Sequence, residues 1–111
     1  ITRDHSLVQE LVEAGVVRPE DAEHHPRANV ITRAVGAELD EFVLDKVSGR
    51  FHAGDRFLLC SDGLSKTVSE DELTTLLGDD SGVPPPQSLV AAALALNASD
   101  NVTAVAVEAS A

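Results

Sequence analysis

Apolar residues recur at positions 7, 8, 11 and 12, the spacing of one helix face, and Gly15 closes that run as a C-terminal cap. Asp4 is the expected N-cap, with Ser6 as its competitor. A second short helix is expected from residue 18, with Pro19 early, acids in its first turn, and His24-His25-Pro26 ending it. Residues 29–36 mix β-branched side chains with a closing Gly36, which reads as a short extended or weakly helical piece followed by a turn. Residues 41–47 read as a strand, turned by Ser48-Gly49 and followed by another strand within 51–60; the two are expected to pair antiparallel.

The densest apolar run is Phe57-Leu58-Leu59-Cys60, which suits a strand buried on both faces and which Asp62-Gly63 then ends in a turn. That pattern fixes a carboxylate at the lip of a sheet, where geometry is held better than in a free loop. Ser69 with Glu72 forms a capping box ahead of an apolar stripe at Leu73, Leu76 and Leu77, and Gly78 terminates this helix. Residues 79–86, with Asp-Asp-Ser-Gly and three prolines, are expected to be a loop. Residues 87–96 form an Ala/Leu helix apolar on nearly every side, expected to pack on a sheet, and 102–108 read as a central strand. Asp100 therefore stands at the start of one strand and Asp62 at the end of another.

Composition narrows the function classes. The chain has 111 residues, enough for one domain or part of one, and no internal repeat. It does not begin with Met, so it is expected to start partway into a longer polypeptide. A net charge of -11, from 8 basic and 19 acidic residues, argues against a nucleic-acid or anionic-membrane surface and favours cations. Aromatics are only 3%, so the core must come from Val, Leu, Ile and Ala. Cys60 is the single cysteine, expected to be a buried packing residue in a reducing, cytoplasmic compartment. No apolar run approaches a membrane span.

Candidate chemistry rests on the acids. His24 and His25 are adjacent and would point about 100° apart on a helix, so they do not converge on one ion. They read as a solvated helix end, and His5 and His52, without ligands nearby in sequence, read the same way. Asp62 and Asp100 are different: if their strands are antiparallel neighbours, both acids meet at one sheet edge and can reach one ion.

Taken in order, Ile1-Thr2-Arg3-Asp4-His5-Ser6, His25-Pro26, Ile31-Thr32-Arg33-Ala34-Val35-Gly36, the segment from Gly54 to Leu64, and Ser99-Asp100-Asn101-Val102-Thr103 resemble the metal-dependent serine/threonine protein phosphatases of the type 2C (PPM) family, bacterial branch. The resemblance covers almost the whole chain and places it in the C-terminal half of that domain. It implies an α+β fold, a β-sandwich of antiparallel sheets flanked by helices, four-layered (α/β/β/α) in the complete domain. It further implies Asp62 and Asp100 as ligands of Mn²⁺ or Mg²⁺ in a two-metal centre, supported by Gly63 and by Asn101, which fixes the loop rather than binding metal. Residues 8–30 resemble the family's flap, and Asn29 falls where some members place a residue near a third metal. The implied substrates are phosphoserine and phosphothreonine proteins, opposing or including a serine/threonine kinase in a signalling role.

The family's upstream acids, including the bridging carboxylate of an Asp-Gly-x-Gly-Gly segment, are absent from these 111 residues. The chain alone is therefore expected to have little or no activity. The competing expectation is a non-catalytic binding or regulatory module with an incomplete metal site.

Overall fold

The computed structural model describes residues 1–37 and 43–111, and these fall into two compact units, Ile1–Gly49 and Arg50–Ala111. In the first unit the helix α1 (Leu7–Glu13) is capped by Ser6, whose side chain accepts from the Gln9 N–H at 3.2 Å. Asp4 is not the cap, because it is Ser6 that sits in extended backbone one residue before the first helical turn, within reach of that donor. At the other end Gly15, at φ 76°, donates to Val12 O and Val16 donates to Leu11 O, the paired bonds of a Schellman stop. The next element is a 3₁₀ helix, Pro19–His24. The chain then returns beside its own start: Ser6 and Ile31 form an antiparallel bridge, flanked by Leu7 N to Val30 O at 2.9 Å and Thr32 N to His5 O at 2.8 Å.

The strand expected over 41–47 does not form in its described part. Positions 41 and 42 lie outside the described residues, and 43–47 carry no strand. The Val43 carbonyl accepts instead from the Arg33 guanidinium at 2.9 Å, and Asp45 is held by His5 and Arg33, so side chains take the place of a backbone ladder.

In the second unit β1 (Arg56–Cys60) therefore pairs not with 43–47 but with β2 (Ala104–Glu108), antiparallel, from Arg56 opposite Glu108 to Cys60 opposite Ala104. Between them in sequence lie α2 (Asp62–Ser65), α3 (Glu70–Leu77) and α4 (Pro85–Ala95). Ser69 caps α3 by accepting from the Glu72 N–H, and Gly78 is its C-cap. The helix α4 begins at Pro85, two residues inside the stretch expected to be loop. A first turn needs no N–H from proline, so Pro85 and Pro86 fit there.

Leu64, Val68, Leu89 and Ala93 form the core of this unit, with Leu58, Leu73, Leu76, Val102 and Ala104 packed against it. The core thus lies between the helices and the sheet face that carries Leu58 and Ala104. Strand alternation puts Phe57, Leu59, Val105 and Val107 on the opposite face. There Leu59 is 58% exposed and Val105 52%. The expectation of a strand buried on both faces is thereby corrected: helices cover one face only, and among the described residues β2 has one neighbour and is not central. Cys60, expected to be buried, is exposed at the end of β1. Arg56 closes the far end of the unit, donating to Leu77 O at the end of α3 and pairing with Asp80 and Glu108. Among the described residues no helix is long and apolar enough to cross a membrane.

Candidate functional site

The two acids singled out by their strand positions come to the same end of the β1–β2 ladder. The last ladder pair is Cys60 with Ala104, and Ser61 continues the register one step further, donating from N to Thr103 O at 3.0 Å. The backbone then turns into α2, with Asp62 its first residue; the expected simple turn is one turn of helix. Gly63 and Leu64 behind Asp62 are buried, Leu64 completely, so the carboxylate stands on a backbone anchored in the core. The Asp62 side chain itself is exposed and pairs with Lys66 one turn on, Oδ2 to Nζ at 3.2 Å.

Asp100 is delivered by the end of α4. Asn97, at φ 56°, donates to Leu94 O, and Ala98 donates to Ala93 O, a second Schellman stop with asparagine in the left-handed position that glycine more often takes. Ala98 packs on the core, and the chain runs through Asp100 and Asn101 into β2. Asp100 Oδ1 accepts from the Asn101 N–H at 2.7 Å.

Asn101 is also where the two turns touch. Its carbonyl oxygen accepts from Ser61 Oγ at 3.2 Å, while Ser61 Oγ accepts from Thr103 N at 3.0 Å. On the other side of Asp62, a Cβ placed on Gly63 would overlap the same Asn101 carbonyl. Both neighbours of Asp62 thus abut the residue that follows Asp100. Asp62 and Asp100 offer carboxylate oxygens, the donors that hard divalent cations prefer. In chemistry the pair fits such an ion; in number it falls short, since among the described residues no three His, Cys, Asp or Glu side chains cluster to hold a metal.

In the first unit, Asn29 is exposed in the turn that follows the 3₁₀ helix. His5, expected to be solvated because no ligand lies near it in sequence, has Nε2 2.7 Å from Asp45 Oδ2, 40 residues on, and Arg33 lies 3.7 Å from Asp45 Oδ1. The hydrogen bond from His5 holds the Asp45 carboxyl below the usual carboxylate range, with the charge of Arg33 adding to it. These residues and Ala34, Val35, Val43 and Leu44 line a cleft of about 230 Å³. No periodicity marked it, because its groups are 40 residues apart in the case of His5 and Asp45.

Comparison with known proteins bears on the whole chain. No protein-family model matches it. The serine/threonine phosphatase stp of Listeria welshimeri is 37% identical over 113 residues, which take in 97% of this chain and 43% of that protein. The crystal structure of the serine/threonine phosphatase Stp1 from Staphylococcus aureus superposes with a TM-score of 0.89 at 34% identity, over 100% of this chain and 44% of its own. The chain matches part of the bacterial PPM serine/threonine phosphatases. It spans less than half the length of these relatives. Its helices and two-stranded antiparallel sheet match part of the PPM phosphatase fold. The catalytic domain of one such phosphatase, PstP, whose structure holds two manganese ions, is 36% identical with a TM-score of 0.78, over 100% of this chain and 45% of that one.

Proposed function

We propose that this chain is the C-terminal part of a metal-dependent protein phosphatase domain in which Asp62 and Asp100 hold Mn²⁺ or Mg²⁺. The observation that carries the proposal is the contact of both neighbours of Asp62 with Asn101, which sets two carboxylate-bearing turns side by side at one sheet edge. Divalent ions at such a site acidify bound water and stabilise charge on a phosphoryl group in transfer. The chain's own part is to present two oxygen donors from a backbone locked by Leu64 and Ser61. Lys66 lies against Asp62 and yields the carboxylate to the ion.

The substrates in this reading are phosphoserine and phosphothreonine proteins, among them targets of a serine/threonine kinase or the kinase itself, and the compartment is the cytoplasm. The exposed sheet face of Leu59 and Val105 is covered by the second sheet of a four-layer sandwich, residues 8–30 act as the flap, and Asn29 lies near a third ion. The remaining ligands lie outside the 111 residues, so the isolated chain is inactive. The presence of fewer than three clustered donors among the described residues favours, for the chain on its own, the second reading of a binding or regulatory module.

The test is hydrolysis of a phosphothreonine peptide and of p-nitrophenyl phosphate with Mn²⁺, by the isolated chain and by the complete protein. Activity is expected in the complete protein alone, reduced at least about a hundredfold by Asp62→Ala or Asp100→Ala. Full activity in either variant would remove the acids from the site. A complete protein that binds Mn²⁺ or a partner without turnover would leave the module reading.

A further inference from the structure

Ser61 occupies the N-cap position of α2 at φ −75° and ψ 163°, the backbone geometry in which a serine normally accepts a hydrogen bond from the first turn of its helix. It makes no such bond. Its hydroxyl is turned across the sheet edge, donating to Asn101 O at 3.2 Å and accepting from Thr103 N at 3.0 Å, while its own N–H donates to Thr103 O. The backbone bond carries the ladder one step past Cys60 and Ala104, and the hydroxyl joins the residue before Asp62 to the residue after Asp100. The cap is given up, and the separation of the two acid-bearing turns is fixed.

We infer that Ser61 is a positioning residue for the divalent cation: its hydroxyl bridge between Asn101 O and Thr103 N sets the spacing of the Asp62 and Asp100 carboxylates and through it the affinity for the ion. This rests on the proposal that those two acids are ligands. Three features separate the role from ordinary capping or packing. The hydroxyl uses both its donor and its acceptor on the opposing turn and none on its own helix. Its acceptor is the same carbonyl against which Gly63 is pressed, so Asp62 is braced on both sides by one atom. Finally, Asp100 Oδ1 accepts from the N–H of Asn101, the same residue whose carbonyl Ser61 holds.

Mn²⁺ binding to the complete protein carrying this chain, measured by isothermal titration calorimetry and by the electron paramagnetic resonance of free Mn²⁺, tests the inference. Ser61→Ala is expected to weaken binding about tenfold or more, the usual cost of losing a group that orients a ligand. Ser61→Thr, which keeps the hydroxyl in an extended backbone that suits a β-branched residue, is expected to stay within about threefold of the parent. Thermal melting of the metal-free variants separates stability from affinity. Ser61→Ala with unchanged Mn²⁺ affinity overturns the inference, whether or not its melting temperature falls. If Ser61→Ala does not fold, Ser61→Cys takes its place, keeping the volume with a far weaker hydrogen-bonding group. Weaker binding than in Ser61→Thr supports the role, and equal binding overturns it. Asp62→Ala and Asp100→Ala are the reference. If both bind Mn²⁺ like the parent, it is the ligand proposal that fails, and the role of Ser61 falls with it.

Discussion

Gly63 lies so close to the carbonyl oxygen of Asn101 that no side chain fits between them. The obstacle is backbone on a segment pinned by Ser61, so it has little room to give way. Gly63→Ala is therefore expected to destabilise the fold by about 2 kcal/mol or more, as overpacking against a fixed wall does. Denaturant melts measure the loss. A wild-type midpoint would mean that the two turns separate freely.

Leu89 and Leu94 share one helix and differ in what surrounds them. Leu89 is fully buried between α4 and its neighbours, whereas Leu94 is 63% exposed. Leu89→Ala should cost about 2–5 kcal/mol, and Leu94→Ala less than about 1 kcal/mol. Comparable losses at the two sites would mean that α4 presents a different face to the core.

In the first unit Arg3 grips Glu13 through two bonds, Nε to Oε1 at 2.6 Å and a second terminal nitrogen to Oε2 at 2.8 Å. The hydrogen bond from Arg3, then that from Gln9, holds the Glu13 carboxyl down from the ordinary 4.5 to about 2. A folded-state value below the unfolded one makes this stabilisation fully present above about pH 4.5 and lost as pH falls through about 2. Side-chain carbonyl NMR titration should place the midpoint of Glu13 near the lower value, and Arg3→Gln should move it back towards the upper. A midpoint already near 4.5 in the parent would show that the pair does not hold in solution.

The open face of the sheet gives a comparison between short and complete chains. Leu59 is 58% exposed here, so Leu59→Ala should cost the isolated chain less than about 1 kcal/mol. In the complete protein, with the face covered as proposed, the same change should cost about 2–5 kcal/mol. Equally small changes in both would argue that nothing packs there.

Much of this was legible in the sequence wherever the cause was local. The capping serine and closing glycine of α3 were readable because cap, stripe and stop all lie within ten residues, Ser69 to Gly78. The placement of Asp62 and Asp100 at one end of the ladder was readable because each adjoins a strand. Distant pairing was not: nothing in 43–47 distinguishes a strand from a segment whose carbonyl is taken by Arg33 and whose acid is taken by His5. Burial of Phe57 to Cys60 was overstated because an apolar run records what a strand is suited to, not what covers it here. Asn97 as a left-handed stop was missed, since asparagine marks loops as readily as caps. The side-chain work of Ser61 left no trace in any periodicity.

The β1–β2 register also carries an expectation about the order of folding. Arg56 meets Glu108 only after the chain has closed on itself around three helices. Helices form from neighbouring residues in about a microsecond, whereas strands so far apart in sequence pair slowly, after the loop entropy has been overcome. α2, α3 and α4 can each take shape first, with Asp62 and Asp100 still on separate, independently moving segments. The sequence separation of the strands thus predicts that the two acid-bearing turns come together late in folding, so a partly folded chain is expected to present Asp62 and Asp100 apart.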